Sequence, residues 1–157
     1  MTSVALHPDI TPLGFLLGTW AGEGTGQYPT IETFRYGEEI RFAHVGKPFL
    51  FYLQRTWALD DGRPLHAEAG YWRHTGNGRI ELVLAHPTGV AEVEEGRLDG
   101  TAVRLRTTRM ASSSTAKRVD ALERDFDLDD AVLRYAVRLA AVGLDLQHHL
   151  SAELVRQ

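Results

Sequence analysis

Seven histidines and no cysteine set the chemistry open to this chain. Histidine alone among its side chains both changes charge near neutrality and binds a transition metal as a neutral donor. His7, His44, His66, His74, His86, His148 and His149 are therefore the first residues to place. The lack of cysteine excludes a thiolate nucleophile, a disulfide framework and Cys-ligated zinc or iron–sulfur centres. Any metal is held by histidine or carboxylate, or arrives inside a cofactor. No Gly-x-Ser-x-Gly turn is present, and the run SSST at 112–115 reads as a loop, so acyl transfer through serine is disfavoured. The acidic doublets Glu38-Glu39, Glu94-Glu95 and Asp129-Asp130 read as solvated charge at turns or edges rather than as a glycosidase pair.

The elements that must hold these residues are strands. After a short N-terminal piece with one helical turn near 12–17, strand-length segments fall near 18–26, 32–43, 49–59, 65–74, 79–85, 89–97, 101–109, 115–127, 131–142 and 147–156. Asp61-Gly62, Asn77-Gly78, Asp99-Gly100 and Asp129-Asp130 separate them with hairpin chemistry, and 87–89 makes another tight turn, so neighbours run antiparallel. Alternation gives each strand an apolar face, as with Ile80, Leu82 and Leu84, or Leu133, Tyr135, Val137, Leu139 and Ala141. A meander of this length with no helices to cover it is best satisfied by closing on itself. The fold class is all-β: an antiparallel up-and-down barrel of about ten strands, like the lipocalins and fatty-acid-binding proteins, with spare room in its lumen.

Alternation also places the histidines. His86 continues the column of Ile80, Leu82 and Leu84 to the inner rim, and His66 shares a face with Glu68, Gly70 and Trp72. In LQHHLSAEL adjacent histidines face opposite ways. His148 shares a face with Leu146, Leu150, Ala152 and Leu154, and so turns inward if the strand is regular from Leu146; a shift of one residue at the loop exit exchanges it with His149.

One ordinary domain of 157 residues buries a core without disulfides. A net charge of −4 with both signs interspersed offers no basic stripe for nucleic acid. The start, MTSVALHPDITPLGFLLGTW, lacks a basic leader and a span-length apolar run, which points to a cytoplasmic protein with no membrane partner.

The segment GTWAGEG at 18–24 sets Gly18, Trp20, Gly22 and Gly24 on one face. Repeated strand glycine reads first as a sharp bend, a bulge or a very close approach by another backbone or a ligand, here a first strand that curls to close the barrel, with Trp20 plugging one end. This Gly-x-Trp-x-Gly-x-Gly segment, the following YPTI at 28–31, and later GKPF, PLHAEAGYWR and HHLSAELVR resemble, in order and spacing, the nitrobindin family. Lipocalins and fatty-acid-binding proteins open on a similar Gly-x-Trp strand, but the likeness here extends over essentially the whole chain.

The resemblance implies one heme-binding β-barrel domain over 1–157, with one heme b per chain and peroxynitrite isomerised to nitrate at the ferric iron. It implies nitric oxide as a ligand of the ferrous form and leaves room for a homodimer. The family's proximal ligand, a histidine followed by leucine, lands on His149, against the simple alternation that favours His148. Leu65, His66, His86 and Leu139 then line the pocket, with Thr30 and Lys117 as rim contacts. The rival reading is a non-enzymatic carrier of an apolar small molecule, which explains the barrel but not the His-His pair; a purely structural module would have a filled barrel.

Overall fold

The computed structural model describes residues 4–157. Ten strands follow one another in it: β1 (Gly18–Tyr28), β2 (Ile31–Ala43), β3 (Leu50–Ala58), β4 (Pro64–His74), β5 (Arg79–His86), β6 (Val90–Asp99), β7 (Ala102–Ser112), β8 (Val119–Asp129), β9 (Val132–Ala141) and β10 (Gln147–Arg156). Each pairs antiparallel with its sequence neighbours, and β10 returns to β1, closing the barrel. Closure gives every strand two neighbours, although β7 and β8 pair only over 102–106 with 123–127, so 107–112 and 119–122 lie outside that ladder. No helix among the described residues is long and apolar enough to cross a membrane.

The turns follow their residue chemistry. Asn77 and Gly78 both have positive φ, 53° and 69°, the mirror-image turn that matches strand twist. Between β8 and β9 the positive-φ pair is Asp130 and Ala131, at 45° and 68°, one residue later than the Asp129-Asp130 doublet suggests. β8 begins at Val119 rather than 115, because the loop after β7 runs through Ala116 and Arg118.

One end of the barrel is plugged. The N-terminal turn is a 3₁₀ helix over Pro8–Leu16, four residues earlier in its start than the sequence suggests. Pro8 suits a first helical position and the His7 ring accepts from the Asp9 backbone N–H at 3.2 Å, which together set the start there. Ile10, Leu13 and Leu16 are fully buried. Trp20 Nε1 donates to Leu16 O at 2.7 Å, and the Arg156 guanidinium lies 4.4 Å from the Trp20 ring while donating to the carbonyls of Phe15 and Leu17. The last strand thus ties the helix to the first strand. The β1–β2, β3–β4, β5–β6, β7–β8 and β9–β10 connections all gather at the other end, which no helix among the described residues covers.

The glycines of β1 serve close approach. A Cβ on Gly24 would lie 2.3 Å from the Tyr36 ring and 2.7 Å from Ser151 O, and one on Gly26 would lie 2.3 Å from the Phe34 ring. Aromatic rings from β2 therefore lie across β1 where its side chains are missing. We predict that Gly24→Ala, which forces the buried Tyr36 ring or β10 to move, destabilises the protein by about 1–3 kcal/mol in urea denaturation. An unchanged midpoint would contradict this packing.

Candidate functional site

The residues that the family resemblance assigns to a pocket come together at the uncovered end. Thr30 is exposed in the β1–β2 turn; Leu65 and His66 begin β4; His86 ends β5; Lys117 is exposed in the β7–β8 connection; Leu139 is near the end of β9; His149 is near the start of β10. Leu65 is also exposed, whereas Leu139 is partly buried. Leu82 and Leu84, in the column that His86 continues, lie deeper, within the core. Two surface hollows, of about 340 Å³ around Glu23, Arg35 and Glu153 and of about 530 Å³ over Phe51, Leu53 and Tyr71, include none of these residues.

The phase of β10 is set by a bulge. His148 pairs with Arg138, but the next pair is Leu150 with Val137, so His149 is the extra residue. From Leu150 onward Ala152 and Leu154 face the core as alternation requires. Before the bulge the phase is reversed: Gln147 stands opposite Leu139, and His148 is exposed. Simple alternation, which turned His148 inward, fails for that reason. His149 is half-buried, with its ring edge-on to Tyr28 at 5.5 Å.

The His149 ring is held from behind. Its Nδ1 lies 2.8 Å from Gln27 O, so Nδ1–H donates to that carbonyl and the Nε2 lone pair is left without a partner among the described residues. Tyr28 is fixed in turn, its hydroxyl accepting from Ala141 N at 2.9 Å and donating to Ala141 O at 3.2 Å. Burial lowers the His149 pKa below the ordinary 6.5; the Gln27 carbonyl opposes the shift, and the like charges of His148 and His66 reinforce it. At neutral pH the ring is a neutral donor with one directed lone pair.

Below this end the lumen is charged, which the sequence reading did not foresee. Arg124, fully buried, donates to Glu68 Oε2 and Glu92 Oε1, each at 3.0 Å, and to Glu94 Oε1. Tyr52 OH donates to Glu68 Oε1 at 2.7 Å, and His86 Nε2 lies 2.8 Å from Glu92 Oε1. A second cluster joins Glu38 to Gln54 Nε2 at 2.7 Å and to Tyr135 OH at 2.6 Å, with Tyr36 OH a further 2.7 Å from Tyr135 OH. Glu38 and Glu94 are thus not solvated charge: in each doublet one member faces in and its neighbour faces out, whereas Asp129 and Asp130 are exposed as expected. The signal was present in the alternation. Glu38 stands between Tyr36 and Ile40, Glu68 between His66 and Gly70, and Arg124 between Leu122 and Phe126.

These carboxyl groups divide by partner. Burial pushes Glu68 up, but Arg124, His66 and His86 outweigh it and hold the group well below the usual carboxylate range. Burial raises Glu38 to about 7, with Tyr135 and Gln54 opposing. Burial likewise raises Glu94 to about 8, opposed by Arg124 and reinforced by Glu92. When Glu38 carries its proton, the acid donates to Tyr135, Tyr135 to Tyr36 and Tyr36 to Ser151 O at 3.4 Å, reversing the direction of the chain.

Comparison with known proteins places this geometry. Residues 9–156 match the model of the THAP4-like, heme-binding beta-barrel domain. The chain is 54% identical over 158 residues to "Peroxynitrite isomerase" of Nocardia farcinica, covering 98% of this chain and 94% of the relative. It is 53% identical over 156 residues to "Peroxynitrite isomerase 2" of Mycobacterium marinum, covering 97% of each. The crystal structure of Rv2717c from M. tuberculosis superposes with a TM-score of 0.91 at 48% identity, covering 98% of this chain and 99% of that one.

Two outcomes follow from the buried charges. Removing the hub by Arg124→Met leaves Glu68 and Glu92 buried without their cation and costs about 3–5 kcal/mol in chemical denaturation. Glu38 binds its proton more tightly folded than unfolded, so the stability it contributes is full below its ordinary 4.5 and is lost as pH rises towards 7. Glu38→Gln therefore flattens the fall in stability over that window, by up to about 1.4 kcal/mol per pH unit, as read from urea midpoints.

Proposed function

The chain belongs to the THAP4-like heme-binding β-barrel family, the nitrobindins, and on that premise we propose that it binds heme at the uncovered end of the barrel through His149 and isomerises peroxynitrite to nitrate. One observation carries the residue assignment: the bulge at His149 brings forward a neutral imidazole whose Nδ1–H is tied to Gln27 O and whose Nε2 is unpartnered among the described residues. A metal-ligating histidine needs that arrangement, because the bond at one nitrogen fixes the tautomer and orientation of the other. The surroundings fit a flat apolar group as well. Phe34, Met110, Val119, Leu139 and Leu150, all partly buried, come from strand ends on this side of the barrel.

A ferric heme held there supplies a Lewis-acid coordination position for an anionic oxidant such as peroxynitrite. The chain's own part is to hold and to shield. His149 would hold the iron-bearing group, the apolar strand ends would keep water from the bound anion, and the exposed Lys117 ammonium and Thr30 hydroxyl, in the connections at this end, would meet acidic groups of the cofactor. His66 and His86 form the polar floor and Leu139 comes from the end of β9 on the same side, whereas Leu65, exposed and next to the inward His66, turns to the outer face of β4. We assign one heme b per chain and nitric oxide as a ligand of the ferrous form on the family resemblance.

Hemin titration of the full-length chain is expected to give a saturable one-to-one Soret change, lost in His149→Ala and kept in His148→Ala, with unchanged far-ultraviolet circular dichroism. Retention of the Soret band by His149→Ala would overturn the assignment, and an apolar carrier would show no such band. Loaded protein speeds peroxynitrite decay and raises nitrate yield, while His149→Ala returns both to buffer values. Because the His149 pKa is depressed, its lone pair survives to lower pH than an ordinary histidine's, and acid release of heme has its midpoint below 6.5.

A further inference from the structure

We propose that His66, Glu68 and His86 form a second metal site, distinct from His149, that takes a divalent ion of the zinc type. The three donors converge. His66 Nε2 lies 3.3 Å from His86 Nδ1 and 3.8 Å from Glu68 Oε2, and His86 Nδ1 lies 3.4 Å from the same oxygen. A tetrahedral ion with bonds of about 2.0–2.1 Å separates its ligands by about 3.3–3.4 Å. Two sides of the triangle already have that length, and the third needs a contraction of a few tenths of an ångström, which one rotation of the more exposed His66 ring supplies.

The sheet builds the triangle. His66 and Glu68, two apart on β4, share the inward face, and the register that pairs Ala69 with Ala85 sets Glu68 across from His86 on β5. Outer contacts then aim the donors. His86 Nε2–H donates to Glu92 Oε1 at 2.8 Å, so Nδ1 presents a lone pair, the carboxylate-histidine arrangement found behind metal ligands. Glu92 is itself held by Thr107 Oγ1 at 3.2 Å, and Glu68 Oε1 is occupied by Tyr52 at 2.7 Å, leaving Oε2 for Arg124 and the ion.

Protons and charge both allow the ion. In its absence His66 Nε2–H donates to His86 Nδ1, so one proton sits where the ion would be. On binding, His66 takes the tautomer protonated at Nδ1, so that Nε2 presents its lone pair, the ring stays neutral and no other group changes. Three carboxyl groups, Glu68, Glu92 and Glu94, surround the one buried guanidinium of Arg124, so this cluster has acid in excess of base. Access is from the uncovered end: the His66 side chain is 36% exposed, against 8% for His86 and 7% for Glu68. Two histidines and one glutamate leave a fourth position open, the donor set of zinc centres that hold a water rather than of closed structural ones.

The full-length chain titrated with Zn²⁺ by calorimetry, and with Co²⁺ by visible absorption, tests the site. One ion per chain is expected, with tetrahedral cobalt bands. His66→Ala and His86→Ala each weaken zinc binding by about 100-fold or more, and Glu92→Gln, which only loses its hold on His86, weakens it by about 10- to 100-fold. His148→Ala and His44→Ala leave it unchanged. If His86→Ala does not fold, His66→Ala decides, since that ring is half-exposed. No uptake at about 100 μM zinc, uptake unaltered by His66→Ala, or uptake lost instead in His149→Ala would each overturn the proposal.

Discussion

In a closed barrel every inward side chain faces a shared interior, so a charge placed on an inward column must find its partner across the lumen or go unpaired. Arg124 on β8 is that partner for Glu68 on β4 and for Glu92 and Glu94 on β6. Its guanidinium fork joins strands that are not neighbours in the sheet, which backbone ladders cannot do. A buried ion pair of this kind is a poor source of net stability, because desolvation offsets most of the attraction. What it specifies is geometry: the depth to which β4, β6 and β8 approach one another, and through Glu92 the setting of the His86 ring.

The barrel is accordingly two-ended in chemistry as well as shape. At one end the 3₁₀ helix, Trp20 and the carbonyl bonds of Arg156 make a dry, apolar closure. At the other, strand ends bring half-buried hydrophobic side chains up to a polar floor. Plug and mouth are both drawn from the same alternating pattern, the difference being where polar residues replace apolar ones on inward columns. His149 belongs to the mouth because β10 changes phase there, and His66 and His86 because their strands begin or end there.

Most strand limits were legible to within a few residues, since Asn77-Gly78 and Asp99-Gly100 mark turns whose backbone needs positive φ at glycine or asparagine. The glycine column of β1 was legible as close approach of backbone, which Glu153 O makes at Gly22, but not as the seat of the Tyr36 and Phe34 rings at Gly24 and Gly26, which the pattern of one strand does not show. The bulge was not legible, because an added residue leaves no mark in the hydrophobic pattern when its neighbours are His148 and Leu150. The interior charges were written in the alternation of β2, β4, β6 and β8, but the ordinary preference of Glu and Arg for water hid them. Only their mutual arrangement across the lumen makes such burial tolerable, and a one-dimensional pattern does not carry that arrangement.

The bond from His149 Nδ1 to Gln27 O spans 122 residues and crosses the seam where the last strand meets the first. That seam joins the most distant parts of the chain, so its loop-closure entropy is among the largest in the fold. Until it zips, the imidazole has neither its fixed tautomer nor its orientation, and the unfolded chain contains no trace of the ligand geometry. Any cofactor that selects this imidazole therefore discriminates almost wholly in favour of the completed barrel, and its binding free energy is returned as resistance to opening at the seam.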